Sequence, residues 1–491
     1  MAKMEFFTGL PVNTEDFLNR GVEPLLDYLK DTVRVNAVII NAHTFWGTCH
    51  YTPHEKYFIG TSLRDRRPEE LKDFDVLGAV TGPAHDRGMQ VYSHVLSYDN
   101  VMPASATGGK RVADENGFEV LPNSLLENLS HVLEIDVFGR KGYKPCINHP
   151  DYRQYYMSLI EDQLRSYPIE GINFNIERYG PLENTLLGNF GSGWMKRKPT
   201  APTCFCPYCR DAAREKGINV ERAKRGYLEL LEFSERSWLA ALKTNDPLAL
   251  QGVPLCDNRD TTPPPEGYFI EFMRLLMRYP EILAWNQLFN DNLQNFFKEM
   301  YGTVKAVSPD RKMGWHVWHP RDYSPFERAG FNVGEMRRYA DWIKPKMDYN
   351  SAGYRYHLQV RKLHQALFQD RTLEKAYSAI NAVFGWEEAP FDELPQRGLG
   401  MDYLKKDLAS YIGSVHGEVP IYPGIGINMP SGPAGHPGFH PTDPEELKLA
   451  LHTIAEAGAK GVVLSRAFTE MKHENMVAAG EAINEINAKF K

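Results

Sequence analysis

The stretch Gly171-Ile172-Asn173-Phe174-Asn175-Ile176-Glu177-Arg178-Tyr179-Gly180 alternates apolar and polar side chains and delivers a carboxylate at its end. Successive side chains of a β-strand face opposite sides, so Ile172, Phe174 and Ile176 share one face while Asn173, Asn175 and Glu177 share the other. A strand of a closed barrel accommodates such a row, because one face packs on helices, the other points to the axis, and active sites sit where strands end. A strand-terminal Glu177 beside Arg178 and Tyr179 has a cation and a hydroxyl to tune its pKa, as a general acid or base requires. The same period-two reading selects His43 and Trp46, Tyr92 and His94, His316, Trp318 and His319, Asp348, Asn350 and Tyr354, Asn428, and Arg466 with Glu470. Such a set builds a pocket for a polar, ring-shaped ligand: His43, His94, His319, Asn350 and Arg466 for hydroxyls or a carboxylate, Trp46, Trp318 and Tyr354 for ring faces.

Positioning these groups takes eight short strands, each followed by enough chain for a helix. They are read at Glu5 to Leu10, Val35 to His43, Met89 to Leu96, Gly171 to Glu177, Met313 to His319, Met347 to Tyr354, Val419 to Ile427 and Gly461 to Arg466. Strands alternating with helical patterns predict parallel βαβ units, and eight of them predict an α/β fold of the (β/α)8 type, a TIM barrel. The first could equally be an N-terminal arm. From Tyr179 to about Lys312 the fourth and fifth strands are separated by far more chain than one crossover helix needs. The expected organisation is a barrel from 1–180 and 311–491, with a helical, cysteine-bearing insertion at 181–310 capping the mouth.

A hydrophobic share of 42%, a charged share of 24% and the absence of low-complexity tracts place the chain among globular proteins with a large core. A net charge of −7 with dispersed cations leaves no electrostatic footprint for nucleic acid. No run approaches the roughly 18 apolar residues of a membrane span, and the N-terminus lacks a charged-then-apolar leader, so the expectation is a soluble, cytoplasmic protein, or a secreted one if a leader was removed. Oligomeric state, including a homo-oligomer, stays open. Three of the six cysteines group as Cys204-x-Cys206-x-x-Cys209, a spacing that suits metal binding better than a disulfide framework.

These motifs have a familiar order. Cys146-Ile147-Asn148-His149-Pro150 through Tyr155, then Tyr167-Pro168-Ile169-Glu170-Gly171-Ile172 and Arg178-Tyr179, followed by Asp348-Tyr349, Ile421 to Gly426 and Gly461 to Ser465, resembles a broad group of glycoside-hydrolase-like barrels. The Asp of that group's "LDYIRY" segment aligns with Asn175, which cannot ionise, and Glu177 on the same face is its natural substitute. Locally, Glu177-Arg178-Tyr179-Gly180 followed by Cys204-Phe205-Cys206-Pro207-Tyr208-Cys209 is similar to family 42 β-galactosidases. That resemblance implies an acid/base role for Glu177 and structural zinc on Cys204, Cys206 and Cys209. A tetrahedral thiolate site needs a fourth ligand, and Cys146 is favoured over Cys49 and Cys256. Those galactosidases carry their nucleophile at the end of strand seven, where this chain has Gly426 and Asn428. The second carboxylate must come from Glu470, ranked first, Asp99, Asp348 or the pair Glu387-Glu388; Asp348, placed at the entry of strand six, is read as structural rather than catalytic.

The implied function is hydrolysis of an O-glycosidic bond of a carbohydrate by a carboxylate pair, with no organic cofactor. One rival is a metal-dependent sugar isomerase, epimerase or lyase using His43, His94, His316 and His319 with Glu177 and Asp348. Another is a barrel that binds glycans without hydrolysing them.

Overall fold

The computed structural model describes residues 5–44, 49–59, 61, 71, 73–97, 112–113, 119–120, 130–178, 180–187, 203–242, 262–318, 323–428, 441–466 and 468–489. Trp46, Tyr179 and His319, and also Asp99 and Cys256, lie outside these residues. Eight strands form one parallel sheet: β1 (Phe7–Val12), β2 (Ala37–His43), β3 (Gln90–Leu96), β4 (Gly171–Asn175), β5 (Lys312–Val317), β6 (Trp342–Pro345), β7 (Gly424–Gly426) and β8 (Gly461–Ser465). Their order runs β6, β5, β4, β3, β2, β1, β8, β7. Bridges from Ile343 to Ile421 and from Lys346 to Gly424 join the two ends, closing a (β/α)8 barrel.

Helices cover the outside because each carries one apolar stripe. In α1 (Pro150–Ser166), Pro150 follows the N-cap residue His149, where its missing N–H costs nothing, and Tyr152, Tyr155, Tyr156, Leu159 and Ile160 are buried against the sheet. α2 (Glu281–Val307) ends the long segment between β4 and β5 and packs on α1 and on β5, as a crossover helix does. α3 (Tyr349–Leu367) follows β6, and Pro444–Glu456 and His473–Lys489 flank β8.

Inside the barrel, Phe7, Ile39, Tyr92, Trp342, Tyr422 and Val463 fill the end from which the strands start. The Phe7 and Tyr422 rings stack with centroids 4.2 Å apart, and Trp342 lies beside them. This apolar plug makes the lower barrel a packed core, so any ligand must enter from the opposite end. Gly314 makes room for it: a Cβ there would sit 2.1 Å from the Trp342 indole. Gly314→Ala is expected to cost about 1–3 kcal/mol by overpacking, read as a lowered Tm; an unchanged Tm would mean that the plug repacks freely.

The first strand, read as a strand or an N-terminal arm, is a strand from Phe7 that pairs with β8 and β2. Two expectations need correction. Strand six is Trp342–Pro345, not Met347 to Tyr354; the latter segment opens α3, with Asp348 as its N-cap residue. Asp348 therefore stands past the end of a barrel strand, and Asn350 and Tyr354 sit on a helix. His43 does not face the axis: the register shifts between Asn41 and His43, and this irregularity turns the imidazole outward among Tyr155 and Tyr156 of α1.

Candidate active site

Above the aromatic plug the inward positions turn polar. His94 donates from Nδ1 to Asn41 Oδ1 at 2.7 Å, and its ring lies parallel to that of His316 at 6.4 Å. His316 Nδ1 is 3.3 Å from Lys344 Nζ, the inward residue of β6 at the same level. Gly424 opposite leaves space for the Lys344 stem, since a Cβ there would meet Cε at 2.8 Å. The side-chain amide of Asn173 and the Ser465 hydroxyl are buried with no hydrogen-bond partner among the described residues. A polar belt with open valences is what a polar ligand, or the water it displaces, would satisfy.

The charged groups stand one level higher. Asn175 donates from Nδ2 to Glu177 Oε1 at 3.3 Å and so orients that carboxylate. Arg178 turns away with Ile176, toward Glu134 Oε1 at 3.4 Å and the Tyr152 ring. Cations on Glu177's own side come instead from Lys344, Lys346 and Arg466, each of which senses its charge. Asp348 is fully buried; burial pushes its carboxyl above the ordinary range, opposed by Lys346, Lys344, Arg355 and Arg466. Burial likewise lowers Lys344 to about 8, with Asp348 pulling the other way. These groups form one interacting constellation contributed by β4, β6, α3 and the end of β8.

The remaining candidates have structural partners. Both Glu470 oxygens accept from Arg466 Nε, at 2.9 and 2.8 Å, and Asn428 Nδ2 donates to the Glu470 carbonyl at 3.1 Å. Glu470 thus clamps Arg466 in place. Asn350 donates to the Thr442 hydroxyl and to Gly426 O at 3.4 Å, and accepts from Ser351 N at 2.9 Å, bracing the end of β7. His43 is held by Leu96 O at 2.7 Å and Tyr155 Oη at 3.0 Å, and burial drops its pKa to about 4, so it is a neutral core residue. Trp318, with His316, Arg178 and Phe297, lines a small cleft of about 50 Å³ at the ends of β4 and β5. Tyr354 is half-buried on α3.

Lys344, Lys346 and Arg355 were not singled out from the sequence. Trp342-Ile343-Lys344-Pro345-Lys346-Met347-Asp348 carries the signal, an alternation that sends Trp342, Lys344 and Lys346 inward and ends in a carboxylate.

Apart from the mouth, Cys146, Cys204, Cys206 and Cys209 are buried, with their four sulfurs within 4.8 Å of one another. Cys146 Sγ is 3.5 Å from the sulfurs of both Cys206 and Cys209. Tetrahedral thiolate coordination at about 2.3 Å places sulfurs about 3.8 Å apart, so this quartet could hold a metal ion. Hydrogen bonds from Cys146, Cys204 and Cys209 drive the Cys206 thiol far below its ordinary range, whereas burial pushes Cys204 up. A buried thiolate among thiols is a negative charge that a cation would neutralise. Among the described residues this is the one metal-ligating cluster; His43, His94 and His316 assemble none with the described carboxylates, and His319 lies outside the described residues.

Fold and site together define a (β/α)8 barrel with a buried carboxylate and lysine constellation at its C-terminal end. No family model matches the chain, and no curated protein matches its sequence. Among solved structures it is similar in fold to α-L-fucosidase isoenzyme 2 from Paenibacillus thiaminolyticus, at 12% identity, 99% coverage of this chain, 50% of that chain and a TM-score of 0.44. It is similar to a β-galactosidase from Rahnella sp. R3 at 12% identity, 100% and 56% coverage and a TM-score of 0.48. For the catalytic domain of a β-amylase from Paenibacillus polymyxa the values are 11%, 99%, 100% and 0.45. The chain thus spans about half the length of the first two, 50% and 56%.

Proposed function

We propose that the chain is a glycoside hydrolase in which Glu177 is the acid/base and Asp348 the second carboxylate. Glu177 gives its proton to the glycosidic oxygen as the bond to the anomeric carbon breaks. Asp348 either attacks that carbon or takes the proton of the water that does; the net result adds water across the bond. The observation that carries the reading is that both carboxylates act on the same buried cations, Lys344 and Lys346, although they leave different strands. Asp348 is preferred over Glu470 because both Glu470 oxygens are engaged by Arg466. Asn175, His94 and His316 would bind sugar hydroxyls, and Trp318 would stack on a ring face. Chromogenic glycosides and plant or algal oligosaccharides, with Glu177→Gln as control, test it. Release of reducing sugar that survives exhaustive chelation supports hydrolysis and counts against a metal-dependent isomerase or lyase.

We further read 181–310 as an insertion that walls the mouth and is fastened by zinc on Cys146, Cys204, Cys206 and Cys209. Four protein thiolates leave no open coordination position, so the ion would brace structure and take no part in the reaction. Metal analysis is expected to give one zinc per chain, lost in Cys206→Ser together with several degrees of Tm. A Cys206→Ser protein of unchanged Tm and metal content would sink the zinc reading.

A further inference from the structure

We propose that the sugar bound at the mouth of the barrel is anionic, bearing a carboxylate or sulfate that Lys346 and Arg355 hold; this rests on the glycoside-hydrolase reading. Among the described residues the constellation sets four cations, Lys344, Lys346, Arg355 and Arg466, against three carboxylates, Glu177, Asp348 and Glu470. Arg466 is matched by Glu470, and Lys344 leans on His316. That leaves Lys346. Its side chain is only 7% exposed, yet among the described residues no hydrogen bond or ion pair holds its ammonium.

An ammonium drawn largely out of water without a partner carries a desolvation cost, and its remaining exposure lets a ligand reach it and complete it. Nearby charges make the shortage worse, because Arg355 and Arg466 both repel the Lys346 ammonium. Glu177 and Asp348 attract it from beyond ion-pair distance, and both are the groups that the reaction needs unencumbered. A third anion, brought by the substrate, would pair with Lys346 and with the planar guanidinium of Arg355 on the first turns of α3, which takes carboxylate or sulfate oxygens in a fork. The N-terminus of α3 lies at the same end of the barrel, and the helix dipole adds partial positive charge there. A neutral sugar would leave this excess unanswered.

The test uses the full chain with three families of 4-nitrophenyl glycosides: neutral hexosides, hexuronides and sulfated hexosides. Turnover of an anionic family at a kcat/KM at least about tenfold above the matching neutral one is expected. Lys346→Met should raise KM for that anionic substrate about tenfold or more, with kcat less affected, and Lys346→Arg should restore it. Which anionic family responds separates carboxylate from sulfate. Efficient cleavage of neutral hexosides only, unaffected by Lys346→Met, overturns the anion and leaves the hydrolase standing. If no glycoside is cleaved, calorimetry of free glucuronate, glucose 6-sulfate and glucose decides: tighter binding of an acidic sugar, lost in Lys346→Met and kept in Lys346→Arg, upholds the anion site while hydrolysis fails. Equal binding of all three overturns it.

Discussion

Glu177→Gln is expected to lower kcat by about 10²- to 10⁴-fold, the range that a positioned proton donor supplies. The side chain keeps its size, and its amide oxygen still accepts from Asn175 Nδ2, which lies 3.3 Å from Oε1 in the native protein. Fold and ground-state binding should therefore survive, with Tm and KM close to those of the parent. What disappears is the proton. Substrates whose leaving groups need little protonation, such as dinitrophenyl glycosides, should lose much less than alkyl glycosides or oligosaccharides do. A uniform loss across leaving groups would mean that Glu177 orients substrate without donating a proton. Retained turnover of oligosaccharides would remove Glu177 from the chemistry altogether.

The barrel was legible because its strands leave a simple signature. Gly171–Asn175 and Gly461–Ser465 each bury an apolar face against helices, and short apolar runs bounded by turn residues are read directly from sequence. β6 was not legible in register, for a physical reason: its inward face carries Lys344 and Lys346, so the strand looks like a solvated approach to the more apolar Met347-Asp348-Tyr349. Lysine inside a barrel contradicts its usual exposure, and only the neighbouring carboxylates explain it. His43 failed differently. Period-two reading assumes an unbroken ladder, and the irregularity after Asn41 reverses the face on which the next residues of the strand point. Cys146 was the favoured fourth thiol on chain position alone; the structure brings its sulfur to 3.5 Å from those of Cys206 and Cys209, a convergence that depends on how the chain packs between residues 146 and 204.

The register correction carries the second large effect, because it moves Asp348 from the start of a strand to the mouth of the barrel. Asp348→Asn is expected to abolish turnover to at least the same degree as Glu177→Gln, since neither attack on the anomeric carbon nor activation of water can proceed through an amide. Stability should respond in the opposite sense from that of an ordinary salt bridge. Burial raises the carboxyl's pKa in the folded protein despite the four cations around it, so the native state binds the proton more tightly than the unfolded chain. The stabilisation from the neutral acid is then complete at pH below the unfolded value and is lost as pH rises through the folded one. Asparagine is neutral throughout and removes that loss. Lys344, already lowered to about 8, can shed its own proton when the carboxylate is gone, which limits the cost of a cation left behind. Asp348→Asn should therefore show a Tm at pH 7 no lower than the parent's, and a flatter fall of Tm between acid and neutral pH. A marked drop in Tm with activity retained would identify Asp348 as a counter-ion that holds the two lysines, and would return the search for the second carboxylate to Glu470.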